Sequence, residues 1–136
     1  NTGLKGRWQT IKLSPQVILD VAHNKEGLIF VRDQIKTLTY NKLYLVMGFV
    51  QGRKVTELLA LLPKESNYYL SSPNLDRALK LTELKKQLKD SSLQINYSKT
   101  VSKAYKKALL KAKSEDLIIV LGSTFVVAEV LNQIKN

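Results

Sequence analysis

Short apolar runs alternate with amphipathic stripes along the chain. The runs VILDVA (17–22), LYLVMGFV (43–50), NYYL (67–70), LQINY (93–97) and LIIVLG (117–122) are each of strand length, and most are apolar at consecutive positions rather than at every second one. That pattern predicts strands buried on both faces. Between the runs, Leu28, Val31, Ile35 and Leu38 fall at i, i+3, i+7 and i+10, and Val55, Leu58, Leu59 and Leu62 at i, i+3, i+4 and i+7. Val101, Ala104, Tyr105, Ala108 and Ala112 make a further stripe, Val127, Val130, Leu131 and Ile134 a last one, and Leu81, Leu84 and Leu88 a weaker one. Each predicts a helix with one apolar face. Buried strands separated by such helices predict a parallel sheet covered on both sides, and a repeat of roughly 25 residues fits right-handed βαβ crossovers. The leading segment GRWQTIKLSPQ reads as an extra extended piece that turns at Ser14 and Pro15 before the first parallel strand.

Polar residues that interrupt this pattern gather at one edge of the predicted sheet. Asp20, His23 and Asn24 end the first run, Gly48 and Gly52 follow the second, Ser71 and Ser72 follow the third, and Gly122 and Ser123 end the fifth. In an open parallel sheet, ligands bind outside the carboxyl ends of the strands. A carboxylate is costly to bury without partners, so Asp20 is expected to serve something beyond its strand. Helices beginning near Asn24 and Ser123 would offer free backbone N–H groups to an anion.

Composition narrows the classes. The 136 residues, 44% hydrophobic and 24% charged, suit one soluble domain with a real core. The chain has no cysteine, which removes disulfides, thiolate metal sites and thiol nucleophiles. The stretch LIIVLGSTFVVA (117–128) is too short for a membrane span, and NTGLKGRWQ lacks the apolar core of a signal peptide, so the cytoplasm is the expected location. The missing initiator methionine suggests a piece of something longer. A net charge of +11 is the strongest global feature, with lysines crowding ELKKQLKD (83–90) and SKAYKKALLKAK (102–113). This reads either as a solvated helix surface or as a surface that attracts polyanions. No zinc-finger spacing or aromatic ribonucleoprotein signature supports a nucleic-acid partner.

Candidate chemistries then fall away in turn. DVAHNKEG is not the G-x-G-x-x-G of a dinucleotide fold, and no G-x-x-x-x-G-K-[ST] run exists to cradle a triphosphate. LGSTF is not the G-x-S-x-G of a hydrolase elbow, and one histidine among dispersed carboxylates makes no metal site. Catalysis wholly within this chain is not expected.

The strings GRWQ (6–9), SPQVILDVAHN (14–24), VMGF (46–49), LSSPN (70–74) and VLGSTFVVAEVL (120–131) together resemble the C-terminal domain of folylpolyglutamate synthase and the bifunctional dihydrofolate synthase, in the Mur ligase superfamily. The resemblance covers nearly the whole chain. It implies a Rossmann-like three-layer αβα domain with a mostly parallel sheet of about six strands and an antiparallel N-terminal segment. It also implies a monomeric ATP-dependent ligase, which activates a folate or dihydropteroate carboxylate as an acyl phosphate for attack by L-glutamate. The P-loop ATPase domain that precedes this one in the family would hold most of the Mg2+ and would be the partner of residues 1–136; alone, the present domain is expected to be inactive. By the same resemblance, Arg7 would reach the ATP phosphates and Asp20 the ribose hydroxyls. His23 and Asn24 would lie near the phosphates or the incoming glutamate, His23 acting in catalysis, and Ser123 and Ser72 would bind that glutamate. Val21 stands where the family often has glycine, TFVV departs from its usual leucine- or tyrosine-rich segment, and GFVQGRK lacks its acidic residue, so Arg53 and Lys54 receive no assignment. Two alternatives stay open: a non-catalytic basic module binding a polyanion such as RNA, and a muramyl-type peptide ligase domain.

Overall fold

In the computed structural model, which describes residues 6–135, the elements run β1 (Gln9–Leu13), β2 (Gln16–Asp20), α1 (Lys25–Ile35), β3 (Leu43–Gly48), α2 (Val55–Leu59), β4 (Asn67–Ser71), α3 (Leu81–Gln87), β5 (Gln94–Tyr97), α4 (Val101–Lys111), β6 (Leu117–Leu121) and α5 (Thr124–Lys135). They form one six-stranded sheet in the order β1-β2-β6-β3-β4-β5. Only β1 runs antiparallel, paired with β2; the other pairs are parallel. The last strand of the chain therefore lies in the middle of the sheet.

Alternation along each strand splits the core in two. Ile18, Leu45, Met47, Leu70, Ile119 and Leu121 face one way and pack under α1, α2 and α3, through Leu28, Val31, Val55, Leu59 and Leu84. Val17, Leu19, Val46, Ile118 and Val120 face the other way, under α4 and α5, through Val101, Ala104, Tyr105, Val126, Val127 and Val130. Most of these side chains are fully buried. The three-layer αβα arrangement follows from this division.

Two runs end earlier than their apolar pattern predicts. β3 stops at Gly48, because the next residues pair elsewhere: Val50 forms an isolated antiparallel bridge with Ala78, and the Phe49 carbonyl accepts the Leu79 N–H at 2.8 Å. α2 stops at Leu59, and Leu61 and Leu62 tighten into i→i+3 bonds to Leu58 and Leu59, both 3.1 Å. Pro63 explains this, since the residue before a proline is disfavoured in α geometry.

At the carboxyl end of the sheet the exits of β3 and β6 nearly touch. Gly122 has φ +134, and a Cβ there would collide with the carbonyl oxygen of Gly48. Only glycine fits such a conformation against such a neighbour. The close approach brings the loops after the two central strands together.

Candidate functional site

The carboxyl edge is built outward from Asp20. The residue is 1% exposed, yet its side chain reaches both connections around it. Oδ1 accepts the Ala22 N–H at 2.8 Å and Oδ2 accepts the Trp8 N–H at 3.0 Å. Burial pushes the carboxyl above the usual aspartate range; the N–H groups of Ala22 and Trp8, and then the charge of Arg7, pull it part of the way back. The carboxylate thus ties the end of β2 to the turn before β1. Trp8 holds a left-handed φ of 47, the Gly6 N–H donates to Gln9 Oε1 at 2.9 Å, and the Val21 N–H donates to the Gly6 carbonyl at 2.7 Å. Between them Arg7 projects from a fixed turn, its guanidinium 5.9 Å from the centre of the Phe30 ring, which Trp8 meets edge-on at 6.4 Å.

Beyond β2 the chain turns into α1. Asn24 caps the helix, its Oδ1 accepting the Gly27 N–H at 2.9 Å. His23, exposed just before it, places Nδ1 3.3 Å from the Val21 carbonyl oxygen. A carbonyl can only accept, so this contact favours the tautomer with hydrogen on Nδ1, leaving the Nε2 lone pair outward. Arg7, Asp20, His23 and Asn24 line one hollow of about 330 Å³ with Phe30 at its wall.

His23 also lines a second hollow of about 220 Å³, with Arg53, Arg77, Ser123, Thr124 and Phe125. Ser123 is 9% exposed and caps α5, its Oγ accepting the Val126 N–H at 3.2 Å. The hydroxyl hydrogen stays available as a donor. The two arginine loops are pinned through their backbones: the Arg77 carbonyl accepts the Gln51 N–H at 2.7 Å and the Arg53 carbonyl accepts Gln87 Nε2 at 3.1 Å. The loop carrying Arg77 is further held by α5, where Glu129 Oε2 accepts the Asn74 N–H at 2.7 Å.

Five of the six residues expected from sequence therefore meet in two adjoining hollows that share His23. Ser72 is not among the residues lining them; it is half-buried just past β4, while its neighbour Ser71 turns inward and donates to the Met47 carbonyl at 3.2 Å. Arg77 received no attention in the sequence, although it lies in the same β4–α3 loop that drew attention to Ser72. Arg53, which the sequence leaves unassigned, lies in the β3–α2 loop. The carboxyl-edge rule, applied along the full length of both loops rather than to their first residues, points to both arginines.

The donor set does not suit a divalent cation. Among the described residues no three of His, Cys, Asp and Glu gather, and each Asp20 oxygen is already engaged by a backbone N–H. Nor is any described helix long and apolar enough to cross a membrane. What the edge offers is a mixed first hollow, with Arg7 facing the carboxylates of Asp20 and Glu26, and a second hollow with two arginines and no carboxylate, each beside a capped helix N-terminus.

Comparison with known proteins identifies the family and the fold. Residues 6–124 match the family described as Mur ligase, glutamate ligase domain. The chain is 33% identical over 132 residues to the dihydrofolate synthase/folylpolyglutamate synthase of Buchnera aphidicola subsp. Schizaphis graminum, covering 95% of this chain and 31% of that protein. It is 29% identical over 133 residues to the Escherichia coli (strain K12) protein of the same name, covering 96% and 31%. Among solved structures, a bifunctional folylpolyglutamate synthase/dihydrofolate synthase with Mn, AMPPNP and L-glutamate bound superposes with a TM-score of 0.87 at 25% identity, over 98% of this chain and 32% of that one. Escherichia coli FolC in complex with DHPP and ADP gives 0.85 at 29% identity, over 97% and 31%. The chain thus spans just under a third of the length of these two curated relatives, 31% of each.

Proposed function

The chain belongs to the Mur ligase family, as its glutamate ligase domain, and we propose that it is the amino-acid side of a cytoplasmic, monomeric ligase that joins L-glutamate to folates at the expense of ATP. The observation that carries this reading is the pair of hollows sharing His23, one with Arg7 and the Asn24-capped helix, the other with Arg53, Arg77 and Ser123. The first suits nucleotide phosphates and ribose. The second suits an amino acid with two carboxylates. Similarity to an enzyme crystallised with AMPPNP and L-glutamate, and to one crystallised with DHPP and ADP, supports both halves.

In this reading Arg7 meets the phosphates as the terminal phosphoryl group passes to the folate carboxylate, and its guanidinium offsets the charge that develops on the transferring oxygens. Its fixed turn matters because a donor already in place needs no reorganisation at the moment of reaction. Asp20 holds that turn and offers its remaining lone pairs to ribose hydroxyls, each such charge-assisted bond contributing about 1.5–3 kcal/mol. Asn24 adds its amide beside them. The acyl phosphate then faces the second hollow, where Arg53, Arg77 and the Ser123 hydroxyl hold the two carboxylates of L-glutamate. As the amine nitrogen bonds to the acyl carbon, the bond from that carbon to the phosphate oxygen breaks. His23 Nε2 takes the surplus proton of the amine, acting as a positioned base between the two hollows. Mg2+ belongs to the P-loop ATPase domain of the longer protein, which would close over this edge, and the present chain alone would release no phosphate.

The test is ATP-dependent phosphate release by the full-length parent protein with glutamate and, in turn, dihydropteroate, a reduced folate monoglutamate and a muramyl-peptide precursor. Turnover of the first two marks a bifunctional synthase, and of the reduced folate alone a polyglutamylating one. Turnover of the muramyl compound, or of none, refutes the folate reading. Within an active enzyme, Arg77→Ala is expected to raise the KM for glutamate by about 10- to 100-fold, the loss of one charge-assisted contact, while the KM for ATP holds.

A further inference from the structure

The register of the parallel strands lines up Asp20, Leu121, Met47, Leu70 and Tyr97 as one row across β2, β6, β3, β4 and β5. Four inter-strand steps put Tyr97 roughly 19 Å from Asp20 along the carboxyl edge. Basic groups follow the same line. Arg53 stands after β3 and Lys80 before α3, both lining a hollow of about 490 Å³ on the side of α2 and α3, where Glu83 is the one carboxylate beside them and Thr82 and Gln87 add neutral polar groups. At the far end the Lys85 ammonium lies 5.3 Å over the Tyr97 ring, and Lys107 Nζ donates to the Tyr97 carbonyl at 3.5 Å. Lys80, Lys85 and Lys107 take no part in the salt bridges Arg32–Asp33 and Lys54–Glu57. Segment 77–113 carries eleven basic residues against two acidic ones, Glu83 and Asp90, so this end of the edge has a strong positive field.

The hollow beside Lys80 shares Arg53 with the amino-acid hollow, but the two lie on opposite sides of the sheet edge, one against α3 and the other against the start of α5. Two anionic ligands can therefore reach Arg53 without competing for one space. We infer that the row from Arg53 through Lys80 to Tyr97 is a track for the oligo-γ-glutamate tail that a folate substrate already carries. This rests on the folate-ligase reading and extends it to the part of the substrate that precedes the reacting carboxylate. Each γ-linked residue adds five backbone bonds, about 6 Å when extended, and one free α-carboxylate. From β3 to β5 is two inter-strand steps, roughly 10 Å, so about two residues span the track. Lysines, as mobile point charges, suit a loose chain of repeating carboxylates. Single-stranded nucleic acid would instead want exposed aromatic faces to stack on, and Tyr97, the one ring on the row, already has Lys85 over its face.

The experiment compares the full-length enzyme with its K80Q/K85Q/K107Q variant on reduced folates carrying one to six glutamates, with K80R/K85R/K107R as the charge-keeping control. In the wild type and the Arg variant, KM should fall by about fivefold from one to three glutamates, two weak exposed pairs added together, and then level off. In the Gln variant the dependence should flatten to within about twofold, with turnover of the monoglutamate unchanged. Tail-length dependence that survives in the Gln variant, or is absent from the wild type, overturns the track. A Gln variant that instead loses salt-sensitive binding of an RNA oligonucleotide, with its tail dependence intact, overturns it in favour of nucleic acid. A second measurement, fluorescence titration of the 136-residue chain with labelled hexa-γ-glutamate, separates the two levels of the argument. Binding lost in the Gln variant, beside a parent enzyme that ligates no folate, supports the track and refutes the function reading; ligation of the monoglutamate without such binding refutes the track alone.

Discussion

Asp20 explains why a single residue can look misplaced in a strand. Its pattern in the sequence pointed to a ligand, and the structure adds a second cause: two backbone N–H groups from different segments converge on its two oxygens. Asparagine cannot replace it cleanly, because one amide oxygen satisfies one N–H and the amide NH2 faces the other, a mismatch costing about 1–3 kcal/mol. The folded-state pKa lies above the unfolded value of 3.8. Asp20 therefore contributes most to stability below the unfolded pKa, and that contribution is lost as pH rises through the folded one. Asp20→Asn should be less stable than wild type at acid pH, with the gap narrowing towards neutrality. Chemical denaturation across this range would check it, and a gap that widens with pH would contradict the assignment. His23→Ala, by contrast, should leave stability within about 0.5 kcal/mol, as an exposed side chain, and lower kcat in the parent enzyme by roughly 100-fold or more.

At the scale of elements, the apolar patterning was a sound guide to what forms and a poorer one to where it ends. The stripe through Leu28, Val31 and Ile35 became α1 because those side chains share one face, and VILDVA became β2 because it is covered from both sides. Phe49 and Val50 look like more of β3 in the sequence, since apolarity alone does not reveal that their partners are Leu79 and Ala78 in a distant loop. That small pairing is also what brings Arg77 to the edge, so missing the one meant missing the other. Helix caps carry separable parts of the stability. Asn24→Ala should cost about 1 kcal/mol, and Asn24→Asp, which keeps an acceptor at the N-terminus, should restore most of it. Gly122→Ala should be worse: the backbone would be strained at φ +134 and the new methyl would strike Gly48, a loss of at least about 2 kcal/mol. A lower urea midpoint with an unchanged m-value is the expected signature.

For the whole molecule, two neighbouring runs in the sequence are rarely neighbours in the sheet. The order β1-β2-β6-β3-β4-β5 was not legible, because each parallel strand is apolar on both faces and nothing in its own residues names its partner. The site inherits this: Asp20 and Ser123 are brought together only because β6 slots in beside β2. The same insertion has a consequence for how the protein is born. During synthesis from the N-terminus, β1–β2 and β3–β4–β5 emerge as two ribbons with no hydrogen bonds between them, each exposing an apolar edge that only residues 117–121 can cover. A chain halted at residue 116 should show no cooperative unfolding and should be held by chaperones or aggregate. On this topology the sheet is expected to stay open until β6 leaves the ribosome and joins its two halves, like a book whose spine is added last.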